Sequence, residues 1–292
     1  MSKFLDELEA FLKTQPFKVT RVSEIHNGNE PETLEMNENN PCQNVYSVAK
    51  TFTMTGIGLL YDKGLVTLDE KICDIFSDEL PDGIDERWYE NTVEAALTHR
   101  LGLPGGFLDI DTHKSSEFTD DFLKYLFLYP FDYAPGIESK YSDGAYYLLA
   151  RICEKKTGMT LDNFLWRELL LKLDFQEMAW SHCPKGHVIG ATGLYIHSAD
   201  MAKLGYLYLN GGVYKGERLL SEEWVELAFK KEFALDRDET GKIYSKGGMC
   251  GQRLIIAPEQ NRVVAFQSFG GNSGVVAEWV RDYGCQLPVA SC

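Results

Sequence analysis

The sequence predicts an α/β (α+β) protein in which an antiparallel sheet, assembled from both chain ends, carries an inserted helical lobe. Three observations predict it. Residues 17–25 alternate with a strand period and carry several β-branched side chains. Residues 252–257 and 262–267 form two more β-rich runs near the other end. Between them, from Ser47 to about Trp180, the pattern is mainly helical. The 292 residues suffice for one large domain with a sizeable core, read here as an α/β lobe at about 1–46 and 190–292 and a helical lobe at about 47–189.

Each element has its own signal. The opening residues form an acidic amphipathic helix, with Phe4, Leu5, Leu8, Phe11 and Leu12 on one side. In the strand that follows, Phe17, Val19 and Arg21 are expected on one face. His26-Asn27-Gly28-Asn29 supplies turn chemistry, and residues 32–36 the returning strand. Residues 145–153 continue as a helix to Gly158, where glycine closes it, and Thr160 opens another over Leu161 to Leu171. Ser198 opens a helix to Leu209, ended by Asn210-Gly211-Gly212. Pro258-Glu259-Gln260-Asn261 turns between the last two strands, and a final helix at about Ser273 to Tyr283 covers one sheet face.

Hydrophobic residues make up 44% and charged residues 25%, an ordinary globular composition. The net charge of −15 argues against nucleic acid or anionic membrane as a partner, because phosphate recognition needs basic clusters. The first residues lack the basic start and apolar core of a secretory signal, and no apolar stretch is long enough to cross a bilayer. Seven dispersed cysteines without a C-x-x-C pair fit reduced thiols, so a soluble cytoplasmic protein is expected.

The chemistry concentrates at Val45-Tyr46-Ser47-Val48-Ala49-Lys50. Residues three apart share a helix face, which brings the Lys50 amine to the Ser47 hydroxyl. A serine is a poor nucleophile until a base takes its proton, and burial that lowers the lysine pKa would make the amine that base. The run from Thr51 to Leu60 carries no charge, so this helix should be buried. By itself the tetrapeptide reads equally as a helix N-cap serine followed by a surface lysine.

Several segments, in order, resemble the serine β-lactamase and penicillin-binding-protein-like family, in its class C β-lactamase and esterase branch. YSVAK with the following TFTMTGIGLLYDKGLVTLDEKI is similar to the nucleophile helix of the Ser-x-x-Lys type. VEAALTHRLGLPG resembles the family's LLTHTSGLP segment, and APGIESKYSDGAYYLLARICEKKTGMTLDNFL its second catalytic motif. GATGLYIHSADMAKLGYLYLNGG and GGMCGQRLIIAPEQNRVVAF resemble the segments leading to and forming the active-site strands. The resemblance implies a β-lactamase-like fold and a serine hydrolase acting through an acyl-enzyme, without cofactor or metal.

It also implies roles. Ser47 is the nucleophile, Lys50 its partner amine, and Tyr141 matches the Tyr of the family's Tyr-x-Asn motif, where a phenol shuttles the proton to the leaving group. Asp143 stands where the family often has Asn; it accepts a hydrogen bond from Lys50 but, ionised, cannot donate to a substrate carbonyl. Lys246-Gly247-Gly248 is the best counterpart of Lys-Thr-Gly, within one residue. There Lys246 keeps a cation near substrate, Gly248 admits substrate against the backbone, and Met249 offers the second oxyanion-hole N–H beside that of Ser47. A surface lysine before a flexible Gly-Gly turn is the other reading of that motif.

Remaining constellations carry less. His182 and His187 fit no common zinc spacing and read as a rim loop; His99 reads as structural; Asp109-Ile110-Asp111 and residues 117–121 read as a solvated acidic surface. The expected substrate is a small ester, amide or short peptide. A true β-lactamase or DD-peptidase, or a non-catalytic ligand-binding homologue, are the alternatives, and the sequence leaves the oligomeric state open.

Overall fold

The computed structural model describes residues 1–114 and 117–284, and in it both chain ends contribute to one sheet. The helices are α1 (Lys3–Leu12), α2 (Ala49–Asp62), α3 (Ile72–Ile75), α4 (Val93–Leu97), α5 (Phe122–Leu128), α6 (Asp143–Thr157), α7 (Leu161–Leu165), α8 (Ser198–Leu209), α9 (Glu222–Lys231) and α10 (Ser273–Asp282). The strands are β1 (Lys18–His26), β2 (Glu32–Glu35), β3 (Gln43–Asn44), β4 (Ala179–Trp180), β5 (Leu194–Ile196), β6 (Val213–Tyr214), β7 (Glu217–Arg218), β8 (Asp236–Arg237), β9 (Tyr244–Gly247), β10 (Arg253–Ala257) and β11 (Arg262–Phe269). The main sheet is antiparallel with order β2-β1-β11-β10-β9-β8, so the N-terminal hairpin pairs with the C-terminal strands through β1 and β11. A smaller sheet, β3-β5-β4, ties the segment before Ser47 to residues 179–196.

The two faces of the main sheet bury different partners. On one, Phe4, Leu5, Leu8 and Leu12 of α1 and Val276 and Val280 of α10 pack with Val19, Val22, Val264 and Phe266. On the other, Leu254, Ile256, Val263 and Ala265 join the larger core with α8 and the helices inserted between the chain ends. Arg21 does not share a face with Val19 as strand alternation predicted. A register shift between Val19 and Arg21 inserts an extra residue, and the pleat resumes out of phase. Val22 therefore takes the α1 face, while Arg21 reaches Glu35 and Asn39.

Helix α2 explains its charge-free sequence: every residue from Ala49 to Leu60 is buried. It is clamped closely, because a Cβ on Gly58 would lie 2.3 Å from the Trp224 indole of α9. Helix α6 ends as expected, with Gly158 left-handed at φ 70°. The helix expected over Leu161 to Leu171 is α-helical only to Leu165, and its next turn, Trp166–Leu170, widens to i→i+5 geometry. Among the described residues no helix is long and apolar enough to cross a membrane. Cys42, Cys73, Cys153, Cys183 and Cys250 are free thiols. Cys285 and Cys292 lie outside the described residues.

Candidate active site

Ser47 sits in a single 3-10 turn, Tyr46–Val48, at the mouth of α2. The turn is entered through Tyr46 with φ +48°, a left-handed conformation that costs a non-glycine residue on the order of 1 kcal/mol or more. The Asn44 side chain holds it by accepting the Tyr46 amide hydrogen bond at 2.8 Å. Lys50, one helical turn on, is 0% exposed. Its Nζ donates to Ser47 Oγ (3.2 Å), Asp143 Oδ1 (2.6 Å) and the Ala191 carbonyl (3.0 Å). The expectation of a surface lysine behind an N-cap serine is thereby set aside.

The expectation that burial makes Lys50 a free amine is corrected. Burial does push its pKa down, but the charge of Asp143 and the Tyr141 phenol outweigh it, and the amine lies above the ordinary lysine value. Three acceptors around Nζ match the three donors of an ammonium.

Tyr141 approaches from the opposite side, on the segment leading into α6. Its hydroxyl donates to Ser47 Oγ at 2.7 Å, and Lys50 Nζ lies 4.7 Å from its ring centroid. The segment is strapped down by residues 98–102. The His99 carbonyl accepts the Lys140 amide at 2.8 Å, and His99 Nδ1 accepts that of Ser142 at 3.2 Å. The His99 ring lies 4.6 Å from that of Tyr141. Burial, and then the Lys50 and Lys246 charges, hold the imidazole well below its ordinary pKa, so it is neutral, with the proton on Nε2. His99 is thus the brace of Tyr141.

The third motif ends strand β9. Lys246 points towards Tyr141, its Nζ 5.1 Å from the ring centroid and 3.3 Å from Asp236 Oδ2. Gly248 is required for a reason on the protein side: a Cβ there would stand 2.6 Å from the Val45 carbonyl, two residues before the nucleophile. This contact docks the end of β9 against the Ser47 turn. Met249 lines the same cavity, half exposed, and its amide N–H donates to no acceptor among the described residues. The expected residues Ser47, Tyr141, Asp143, Lys246, Gly248 and Met249 all line one cavity of about 430 Å³, with Lys50 beneath it.

Sequence reasoning missed four charged residues there. Asp109 and Asp111, read as solvated surface, line the cavity, as do Asp236 and Arg253. Burial raises the Asp111 carboxyl, opposed by a hydrogen bond from Thr192 and reinforced by the charges of Asp143 and Asp109. Oxygens of Asp109, Asp111 and Asp143 gather within 4.8 Å of one another, where the Lys50 ammonium already supplies a cation. His182 and His187 do not line this cavity; they pair with Asp162 and Glu154 on the helical face. No signal in the sequence pointed to Arg253, which enters by pairing across the sheet with Gly247.

The beta-lactamase family pattern matches residues 36–280. The N-acetylmuramyl-L-alanine amidase of Bacillus subtilis (strain 168) is 34% identical, over 58% of this chain and 54% of its own length, so the chain spans about half of that relative. A putative 6-aminohexanoate-dimer hydrolase from Bacillus anthracis superposes with a TM-score of 0.77 at 18% identity, covering 97% of this chain and 83% of that one. A D-stereospecific amidohydrolase from Streptomyces sp. does so with 0.73 at 16%, covering 98% and 100%. These structures share the fold. The chain belongs to the beta-lactamase family.

Proposed function

We propose that this protein hydrolyses a small ester or amide bond, short peptides included, through an acyl-enzyme on Ser47. One observation carries the reading: Ser47 Oγ lies between Lys50 Nζ at 3.2 Å and the Tyr141 hydroxyl at 2.7 Å, at the floor of an open cavity. Oγ attacks the carbonyl, the amides of Ser47 and Met249 receive the oxyanion, and Tyr141 protonates the leaving group. A second cleft of about 580 Å³ shares Tyr141, Asp236 and Lys246 with the catalytic cavity, leaving room for substrate on both sides of the bond.

The names of the similar proteins, an amidase, a dimer hydrolase of 6-aminohexanoate and an amidohydrolase, favour an amide over an ester as the natural substrate. Asp143 and Gly247 speak against a penicillin: the first offers no donor to an acyl-amide carbonyl, and the second no hydroxyl to a carboxylate. Five free thiols among the described residues suit a reducing compartment such as the cytosol.

The test is a fluorophosphonate probe and a p-nitrophenyl ester. The parent is expected to label at Ser47 and turn over, with Ser47→Ala losing label and at least about 10³-fold in kcat. Equal labelling and turnover by Ser47→Ala would remove the mechanism. A ligand that raises the melting temperature without ever acylating Ser47 would instead identify a binding protein.

A further inference from the structure

Away from the catalytic cavity, the small sheet β3-β5-β4 gathers a thiol, a carboxylate and an imidazole at one end. Strand β5 is the middle strand, and His197 follows its last residue. On one side Gln43 pairs with Ile196, so the next step of the register sets Cys42 beside His197. On the other side Ala179 pairs with Tyr195, and two steps further on Glu177 flanks the same histidine. Residues opposite one another in an antiparallel sheet point their side chains to one face. Cys42 Sγ, a Glu177 carboxylate oxygen and a His197 ring nitrogen accordingly lie within 4.8 Å of one another, and His197 Nε2 is 2.9 Å from Glu177 Oε1.

We propose that Cys42, Glu177 and His197 form a binding site for a zinc ion, outside the catalytic cavity and independent of its chemistry. Thiolate sulfur, imidazole nitrogen and carboxylate oxygen are the donors zinc takes, and the sulfur selects it over magnesium or calcium. Metal–ligand bonds of about 2.0–2.3 Å in a tetrahedron put the donor atoms about 3.3–3.7 Å apart, so the set needs only a small adjustment. The Glu177 side chain is 61% exposed, which leaves solvent rather than core to make way for it. On binding, the Cys42 S–H bond breaks, its electron pair goes to the metal and its proton to solvent. The imidazole keeps one proton, on the nitrogen turned away from the metal. Thiolate and carboxylate balance the two positive charges, and water fills the fourth position.

The surroundings prepare the site. Gln267 of β11, wholly buried, donates its side-chain amide to the Pro41 carbonyl at 3.0 Å and the Ile196 carbonyl at 2.8 Å. These residues immediately precede Cys42 and His197, so the core fixes the backbone of two ligands. Burial, and then the charges of Glu177 and Asp200, hold the Cys42 thiol above its ordinary pKa; the field that resists a thiolate attracts a cation. Lys203 pairs with Asp200, and no lysine or arginine pairs with Glu177 among the described residues. The ion would join the ends of three strands where β3 leads into the Ser47 turn, through Asn44 on the Tyr46 amide and the Val45 amide on the Leu194 carbonyl.

The test strips the whole chain with a chelator and titrates it with zinc chloride alone. One zinc per chain should bind, with a micromolar or tighter dissociation constant. The melting temperature should rise by about 5 °C at about a hundredfold excess over that constant. Cobalt in place of zinc should give a sulfur-to-cobalt charge-transfer band, lost in Cys42→Ser although Cys73, Cys153, Cys183 and Cys250 remain. Cys42→Ser and His197→Asn should weaken zinc by about 10²-fold or more, and Glu177→Gln by about tenfold.

No zinc bound at micromolar concentration, or no sulfur band from the parent with cobalt, would overturn the site. So would equal affinity in the parent and any one variant, the mark of adventitious metal only. Glu177 is exposed, so Glu177→Gln and the parent's cobalt spectrum decide even if the other two variants do not fold.

Discussion

Lys50 and Asp143 form an ion pair of 2.6 Å with the lysine wholly, and the aspartate almost wholly, withdrawn from solvent. Such a pair repays its desolvation only while both members are present. Lys50→Ala should therefore strand the carboxylate and cost about 3–5 kcal/mol, read from urea denaturation midpoints. The double change Lys50→Met with Asp143→Leu should recover most of that loss. A single variant as stable as the parent would show that the pair is uncoupled.

Tyr141 is 45% exposed, so its ring contributes little to the core. Tyr141→Phe removes the hydroxyl that donates to Ser47 Oγ and should leave the melting temperature within a degree or two. Turnover of an amide should fall by about 10²–10⁴-fold. A p-nitrophenyl ester should suffer much less, because its leaving group departs without a proton. Equal losses on both substrates would contradict a role in protonating the leaving group.

The buried His99 links stability to pH. Its folded pKa lies well below the ordinary value of 6.5, so below that pH the unfolded chain binds a proton that the folded one refuses. The stability held above pH 6.5 should therefore be lost as pH falls, by about 1.4 kcal/mol per unit from this group. His99→Asn, which can still accept the Ser142 amide, should flatten that part of the slope between pH 6.5 and 5. Superimposable pH curves for the two proteins would refute the assignment of a neutral, buried imidazole.

Neighbouring glycines of the third motif should respond differently. At Gly248 an added methyl meets the Val45 backbone carbonyl at 2.6 Å, so the β9 end must retreat from the Ser47 turn. Gly248→Ala should lose about 1–3 kcal/mol and more than tenfold in kcat. At Gly247 the nearest atom is a side-chain nitrogen of Arg253, at 3.1 Å, rather than backbone. Gly247→Ala should cost a fraction of that in chemical denaturation.

Strands β1, β2, β10 and β11 and most helices were legible because their signals are local: alternation for β1, β-rich runs for β10 and β11, the charge-free run for α2, glycine for the end of α6. The two- and three-residue strands β3 to β8 are too short to carry such a signal. Arg21 was misplaced because an inserted residue shifts the pleat, and nothing in its own strand marks where a partner will skip. The same limit applies to Asp109 and Asp111. An acidic pair in a polar loop has the composition of a solvated surface, and only the return of residues 139–143 and 246–249 turns that loop inward.

What the sequence determined by itself is the meeting of Ser47 and Lys50, since three residues span one helical turn and the backbone geometry does the rest. The tertiary structure decided the state of that pair. Asp143 and Tyr141 reach it from 93 and 94 residues away, and their charge and hydrogen bonds, acting where water is excluded, outweigh burial and hold the Lys50 amine above the ordinary lysine pKa.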